Sequence, residues 1–363
     1  MANDSYILNS CNSSGSSYTD PRIVSNPITT SIGALIMSIV FLLGVPGNLF
    51  IIWSIMVRAR RRSVTTILIL NLACADGILM CIIIFFIVYL ARRNWDFGLI
   101  MCKVLFYLCN INMYASIFLI TLMSLHRLVA VVWPTRVTPH ASKKIIVRAI
   151  AVLWVLVFLI SIPALLYRTV EENEQGDPDQ KRWVCNSHHN TTQEVVFQYT
   201  FETTVGFLVP YGLIVSSYIC IVRRIRQTKF RRNVRSEKLI LAIVVTFGIF
   251  WLPFHMINII QVVATQLKEP SMKARLNDIW RPSRAVTSAL AFISSCANPI
   301  LYTFAGKSYI RRDGMAFMAR LFEGISLDYG LRKGRQKRDI EGTGIKETLS
   351  LSSTAENAVK NGI

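Results

Sequence analysis

Three arginines stand at the edges of long apolar stretches: Arg168 just after one that ends at Tyr167, and Arg281 and Arg284 just before one that begins at Ala285. Glu202, His255 and Asn258 lie within neighbouring apolar stretches, one or more helical turns from those edges. A planar guanidinium is the side chain best suited to grip a carboxylate through two parallel hydrogen bonds. Set among Phe and Met, with a carboxyl, an imidazole and an amide close by, it fits reversible capture of an anion with an apolar body. Catalysis is a poor fit. The five histidines (126, 140, 188, 189 and 255) show no zinc spacing, no nucleophile with a base and no paired carboxylates, and His188 and His189 read as loop residues.

The elements that must position these side chains are membrane spans. The chain has 363 residues, 52% of them hydrophobic and 17% charged, against roughly 25% charged in a soluble chain. Seven apolar stretches run over 28–57, 64–91, 104–125, 149–167, 195–222, 239–267 and 285–305. Each is long enough to cross a bilayer, which takes about 20 helical residues. Within lipid the helix satisfies its own backbone. The expected fold class is therefore an all-α membrane protein, a seven-transmembrane helix bundle over 28–305. A polar tail over 1–27 precedes it and lacks the form of a cleaved signal peptide. An amphipathic membrane-surface helix over 306–323 follows, then a disordered tail over 324–363.

The charge of +19 is lopsided. Of the 40 Lys and Arg, 28 fall on one side of the spans and 12 on the other, and the cytoplasmic side keeps the positive charge. This places the N-terminus outside and the C-terminus in the cytoplasm, accounts for the basicity and removes any need for nucleic acid as a partner. Three sequons, at Asn3, Asn12 and Asn190, fall on the same outer side and are expected to be glycosylated. Of eight cysteines, Cys74, Cys81, Cys109, Cys220 and Cys296 lie in spans and read as small buried apolar residues. Cys102 and Cys185 face outward, and a bridge between them would pin the long loop across the bundle mouth. Cys11 is left over, free or paired outside the chain. Asp76 and Glu202 are the acids inside spans, too few for a conduction pathway or proton relay. No pair of broken helices marks an inverted-repeat transporter.

An ordered set of span motifs identifies the chain with a known family. It comprises Gly47-Asn48, Asn71 to Asp76, Trp95 to Gly98 before Cys102, Trp154, Pro210 with Tyr218, Phe250-Trp251-Leu252-Pro253 and Asn298-Pro299-Ile300-Leu301-Tyr302. Over about residues 28–323 it resembles the rhodopsin-like G-protein-coupled receptors. The words Trp95-Asp96-Phe97-Gly98, Met113 to Ser116, Tyr167 to Val170, Phe250 to His255 with Asn258, and Leu290-Ala291-Phe292 resemble in particular the leukotriene B4 receptors. The residues depart at Phe106, where a relative has a polar aromatic, and at Phe254, which replaces a Tyr.

The resemblance implies a cell-surface receptor and no enzyme. Its agonist would be an oxygenated fatty acid bound by Arg168, Glu202, His255, Asn258, Arg281 and Arg284. Another lipid acid or a chemoattractant peptide is the alternative, and a transporter of lipid acids the alternative outside receptors. It implies that Arg127, Trp251, Pro253, Asn298, Pro299 and Tyr302 carry the signal to a heterotrimeric G protein, of the inhibitory class by likeness to chemoattractant receptors. Arrestin and a receptor kinase would act on the tail, and membrane lipids would meet the basic inner loops. It implies no cofactor beyond an allosteric sodium ion at Asp76, Asn112, Ser116, Ser294 and Asn298. The usual acid beside Arg127 is His126 here.

Overall fold

The computed structural model describes residues 27–58, 63–133, 139–172, 182–227 and 235–305. Among these, α1 (Pro27–Trp53) runs on through a π-helical turn (Ser54–Arg58). Next come α2 (Val64–Arg92), α3 (Gly98–Val132), α4 (Pro139–Ile160) and the short α5 (Pro163–Leu166). The fifth span consists of α6 (Thr192–Thr203), a π-helical turn (Thr204–Leu208) and α7 (Val209–Gln227). Two long helices, α8 (Arg235–Gln266) and α9 (Pro270–Ala305), close the bundle. Almost all of the tail expected over 1–27, with Cys11, Asn3 and Asn12, lies outside the described residues, as do the segments over 306–323 and 324–363.

The helices turn their apolar side chains both inward and outward. Leu68, Leu72 and Ile117 are fully buried where α2 and α3 meet, while Val152 and Leu159 on α4 stay exposed, as lipid-facing positions must. The same phase turns Cys81 and Cys220 outward, so the burial expected of them is not found; Cys296 is buried. Among the described residues six helices are long and apolar enough to cross a membrane. The seventh, α9, carries Ser294, Ser295 and Asn298 on its inner face, where they meet polar partners.

Helix boundaries follow local chemistry. The Ser63 hydroxyl caps α2 by accepting from the Thr66 N–H at 3.2 Å, and Thr191 caps α6 by accepting from the Glu194 N–H at 3.3 Å. The largest departure from the expected spans is α9, which begins at Pro270 instead of Ala285. Its polar first turns are helical because Leu276 and Trp280 pack on Ile257, Ile260 and Ala264 of α8. Arg281 and Arg284 thus sit well inside a helix.

Between the fourth and fifth spans, β1 (Arg168–Glu172) and β2 (Trp183–Ser187) form an antiparallel hairpin with Val170 opposite Cys185. A Cys102–Cys185 disulfide, with Cα atoms 5.7 Å apart, ties it to α3 as expected. Trp95, buried between α2 and α3, donates its backbone N–H to the Trp183 carbonyl at 2.8 Å, a second tether.

Across the bundle, α1 and α9 meet at Gly47. A Cβ there would lie 2.9 Å from both Cβ and Cγ of Pro299, whose ring cannot swing aside. Gly47→Ala should destabilise the bundle by about 1–3 kcal/mol, lowering the thermal midpoint of the solubilised protein. Gly212→Ala, where a Cβ would meet nothing within 4 Å, should leave it unchanged or raised. Equal midpoints for the two variants would show that the α1–α9 contact is not tight.

Candidate functional site

A cavity open to solvent enters the bundle beneath the hairpin. Glu202 on α6, Gln261 on α8, Arg281 and Arg284 on α9, and Arg168 at the start of β1 make one wall polar. Leu79, Phe86 and Leu90 on α2 and Phe292, two turns beyond Arg284 on α9, make another part of the lining apolar. Met113 and Trp251 reach its floor.

Arg284 is the best-held cation of this wall. It donates from one nitrogen to Asn258 Oδ1 and from another to Gln261 Oε1. Its guanidinium carbon is 4.9 Å from the centre of the Tyr199 ring and 5.7 Å from those of Phe254 and Trp280. Asn258 also donates from Nδ2 to Glu202 Oε1 at 3.0 Å. A carboxylate, an amide, a guanidinium and a second amide therefore form one chain across α6, α8 and α9. Asn258 and Gln261 are three residues apart and share a helix face.

Arg168 sits over Phe106, its guanidinium carbon 3.6 Å from the ring centre, and among the described residues no ion pair joins it to Glu202. Phe106 cannot hydrogen-bond, yet it offers a π face to the cation. Arg281 lies 5.6 Å from the Trp280 ring centre. Of the six residues read from the sequence as ligand contacts, Arg168, Glu202, Arg281 and Arg284 line the cavity. His255 and Asn258, 1% and 0% exposed, stand behind the wall. His255 stacks on Phe207, ring centres 4.8 Å apart, with Nδ1 3.4 Å from Thr203 Oγ1.

Among the cavity residues that the sequence reading missed are Gln261 and His189. Gln261 carries a signal, its three-residue spacing from Asn258. His189 carries none, because it is brought in by the hairpin. It lies in a loop as expected, just after β2, but is buried between Tyr167 and Tyr199, with Nε2 2.6 Å from Gln198 Oε1. That contact requires the ring proton on Nε2.

Below the floor, Asp76 is fully buried. Its Oδ1 accepts from Asn112 Nδ2 at 3.0 Å and Ser116 Oγ at 3.4 Å, and its Oδ2 from Asn298 Nδ2 at 2.8 Å. Ser294 instead accepts from Trp251 Nε1 at 2.9 Å and donates to the Ala291 carbonyl. Among the described residues no three His, Cys, Asp or Glu side chains gather as metal ligands. Pro253 and Pro299 lie inside α8 and α9. Arg127 is buried near the far end of α3, and Asn190 is exposed beside the hairpin. The Tyr302 side chain lies outside the described residues.

A helix bundle with a strapped hairpin, an open cavity and a buried carboxylate network is the architecture of a membrane receptor. The family model of the 7 transmembrane receptor (rhodopsin family) matches residues 47–302, and the chain belongs to that family. Leukotriene B4 receptor 1 of Homo sapiens is 37% identical over 290 residues, covering 80% of this chain and 81% of that protein. Leukotriene B4 receptor 2 of Homo sapiens is 33% identical over 309 residues, 84% of each. The C3a anaphylatoxin chemotactic receptor of Oncorhynchus mykiss is 31% identical over 307 residues, 82% of this chain and 80% of that protein. The family is one of receptors, not enzymes.

Burial holds His189 below its ordinary value of 6.5, with the Gln198 hydrogen bond opposing. The unfolded chain therefore takes up this proton before the folded one does. The stabilising contribution is complete above pH 6.5 and drains as pH falls below it, by at most about 1.4 kcal/mol per pH unit. The thermal midpoint of the wild type should fall between pH 7 and 5.5 more steeply than that of His189→Phe. Parallel slopes would assign the acid sensitivity elsewhere.

Proposed function

We propose that this chain is a plasma-membrane receptor for leukotriene B4, a hydroxylated fatty acid, and that it activates heterotrimeric G proteins of the inhibitory class. The observation that carries the reading is Arg284, a caged cation in the polar wall of a cavity whose lining is apolar in another part. It offers a carboxylate charge-assisted hydrogen bonds beside room for a hydrocarbon chain. The relatives named for leukotriene B4 support the same ligand. Arg168 and Glu202 would meet its hydroxyls, while Asn258 and His255 support that wall from behind.

The hairpin and Asn190 would face outside, with the C-terminus in the cytoplasm. Agonist contact at the Trp251 floor would bias α8, which carries Pro253, toward an outward position. Arg127 would then meet the G protein. Arrestin and a receptor kinase would follow at the cytoplasmic tail, and anionic lipids would meet the basic inner loops.

A sodium ion fits at Asp76. An ionised carboxylate at mid-membrane costs about 2.5–3.5 kcal/mol, which a bound cation would offset. Its own oxygens and the Ser116 hydroxyl, 3.4 Å from Oδ1, are hard donors suited to a hard cation; the Asn112 and Asn298 amides, which donate to it from their nitrogens, would turn their oxygens to the ion, with Ser294 one turn from Asn298. Sodium should weaken agonist binding in the wild type and have no effect in Asp76→Asn. The same sodium effect in both would remove the site.

In cells expressing the chain, leukotriene B4 should drive saturable nucleotide exchange on the G protein. Arg284→Ala should raise the half-maximal concentration about thirtyfold or more, the loss of about 2 kcal/mol or above expected when a charge pair loses a partner. A response to a chemoattractant peptide with none to lipid acids would reassign the ligand and its contacts.

A further inference from the structure

The cavity's apolar wall continues away from the arginines. From Arg284, α9 runs past Ser288 to Phe292, about 12 Å along the axis at 1.5 Å per residue. Across from it, α2 presents Leu90, Phe86 and Leu79 to the same space. Where α2 and α9 part, α1 closes the gap with Met37, which lines the cavity and is 4% exposed. On either side of Met37, α1 packs closely on its neighbours. A Cβ at Gly33, one turn before Met37, would stand 3.3 Å from Leu90 Cδ1. A Cβ at Gly44, two turns after it, would stand 3.2 Å from Cys296 Cβ. The same cavity thus carries cations from α9 and β1 and an apolar arm of α2 and α9 side chains, with the Met37 thioether of α1 among its lining.

We propose that this arm between α2 and α9 holds the terminal hydrocarbon of the lipid acid, and that Met37 sets how long that tail can be. The inference rests on the function proposed above. The occupant follows from charge and continuity. An anion gripped at Arg284 leaves its chain a mostly apolar surface to run along, with Ser288 its polar member on α9, and that surface includes Met37. A dry apolar cavity takes apolar atoms, and an unbranched, flexible methionine is suited to close on chain ends of slightly different shape. Met37 was not among the residues singled out in the sequence, because nothing in α1 marks which of its apolar side chains faces a void.

The test is competition binding to membranes bearing the full chain, with radiolabelled leukotriene B4 and a series of leukotriene B4 analogues shortened carbon by carbon at the end distant from the carboxylate. In the wild type each methylene withdrawn from the arm should weaken binding about fourfold. Met37→Trp fills the end of the arm. It should weaken the full-length ligand tenfold or more and leave an analogue four carbons shorter within about threefold of its wild-type affinity. Retained binding of that short analogue also shows that the variant is folded. Met37→Ala should bind an analogue two carbons longer more tightly than the wild type does, which tests the same point should the Trp variant bind nothing. An unchanged length dependence in both variants overturns the arm while leaving the receptor reading intact. Failure of the wild type to bind leukotriene B4 at all takes down the proposed function and this inference together.

Discussion

A carboxylate with no access to solvent must find all its partners inside the chain, and Asp76 organises the bundle around that requirement. Its partners come from α3 and α9. Asn112 in turn accepts from Ser295 Oγ at 3.4 Å, and Asn48 on α1 donates to the Ser295 carbonyl at 3.2 Å. Trp251 of α8 joins through Ser294. Five helices are thus registered against one acid. A slide of α9 by a single turn would leave several of these groups unpaired in a place without water, where each costs roughly 1–3 kcal/mol. The register also fixes the outer half of the same helix. Arg284 stands about 15 Å from Ser294 along α9, so the depth of the cationic wall is set by hydrogen bonds well below it.

The polar wall avoids the direct ion pair its charges invite. Glu202 and Arg284 communicate through Asn258, which donates to the acid and accepts from the base. An intervening amide satisfies both groups without requiring two buried charges to touch, a geometry whose desolvation often cancels its attraction. Arg168, which has Phe106 beneath it, uses an aromatic face for the same purpose.

Much of this was legible because membrane spans announce themselves by length and apolarity, and because motifs such as Asn71 to Asp76 and Asn298 to Tyr302 place polar groups where lipid would otherwise exclude them. The hairpin bridge was legible from Cys102 at the opening of the third span and Cys185 in the long outer loop. The start of α9 was not, because its first turns are polar and become helical only by packing Trp280 on α8. Nor was His189, whose burial depends on a hairpin that no local signal aims. For the same reason the side chains behind the wall, His255 and Asn258, could not be told from those on it: helical phase is readable within one span, but the angle between spans is a property of their packing.

The fifth span holds one further feature with reach. Its π-helical turn at Thr204–Leu208 takes up an extra residue, and one residue is about 100° of rotation in an α-helix. The face that bears Glu202 and the face that bears Ile214 are therefore set by separate phases, with Phe207 and Tyr211 stacked across the join at 5.1 Å between ring centres. Had the helix been regular throughout, any inherited change that re-aimed the upper face would have re-aimed the lower one as well. The irregular turn gives selection two independent dials on one rod, so that such a chain can drift toward a new chemical signal while the surface that transmits it stays as it was.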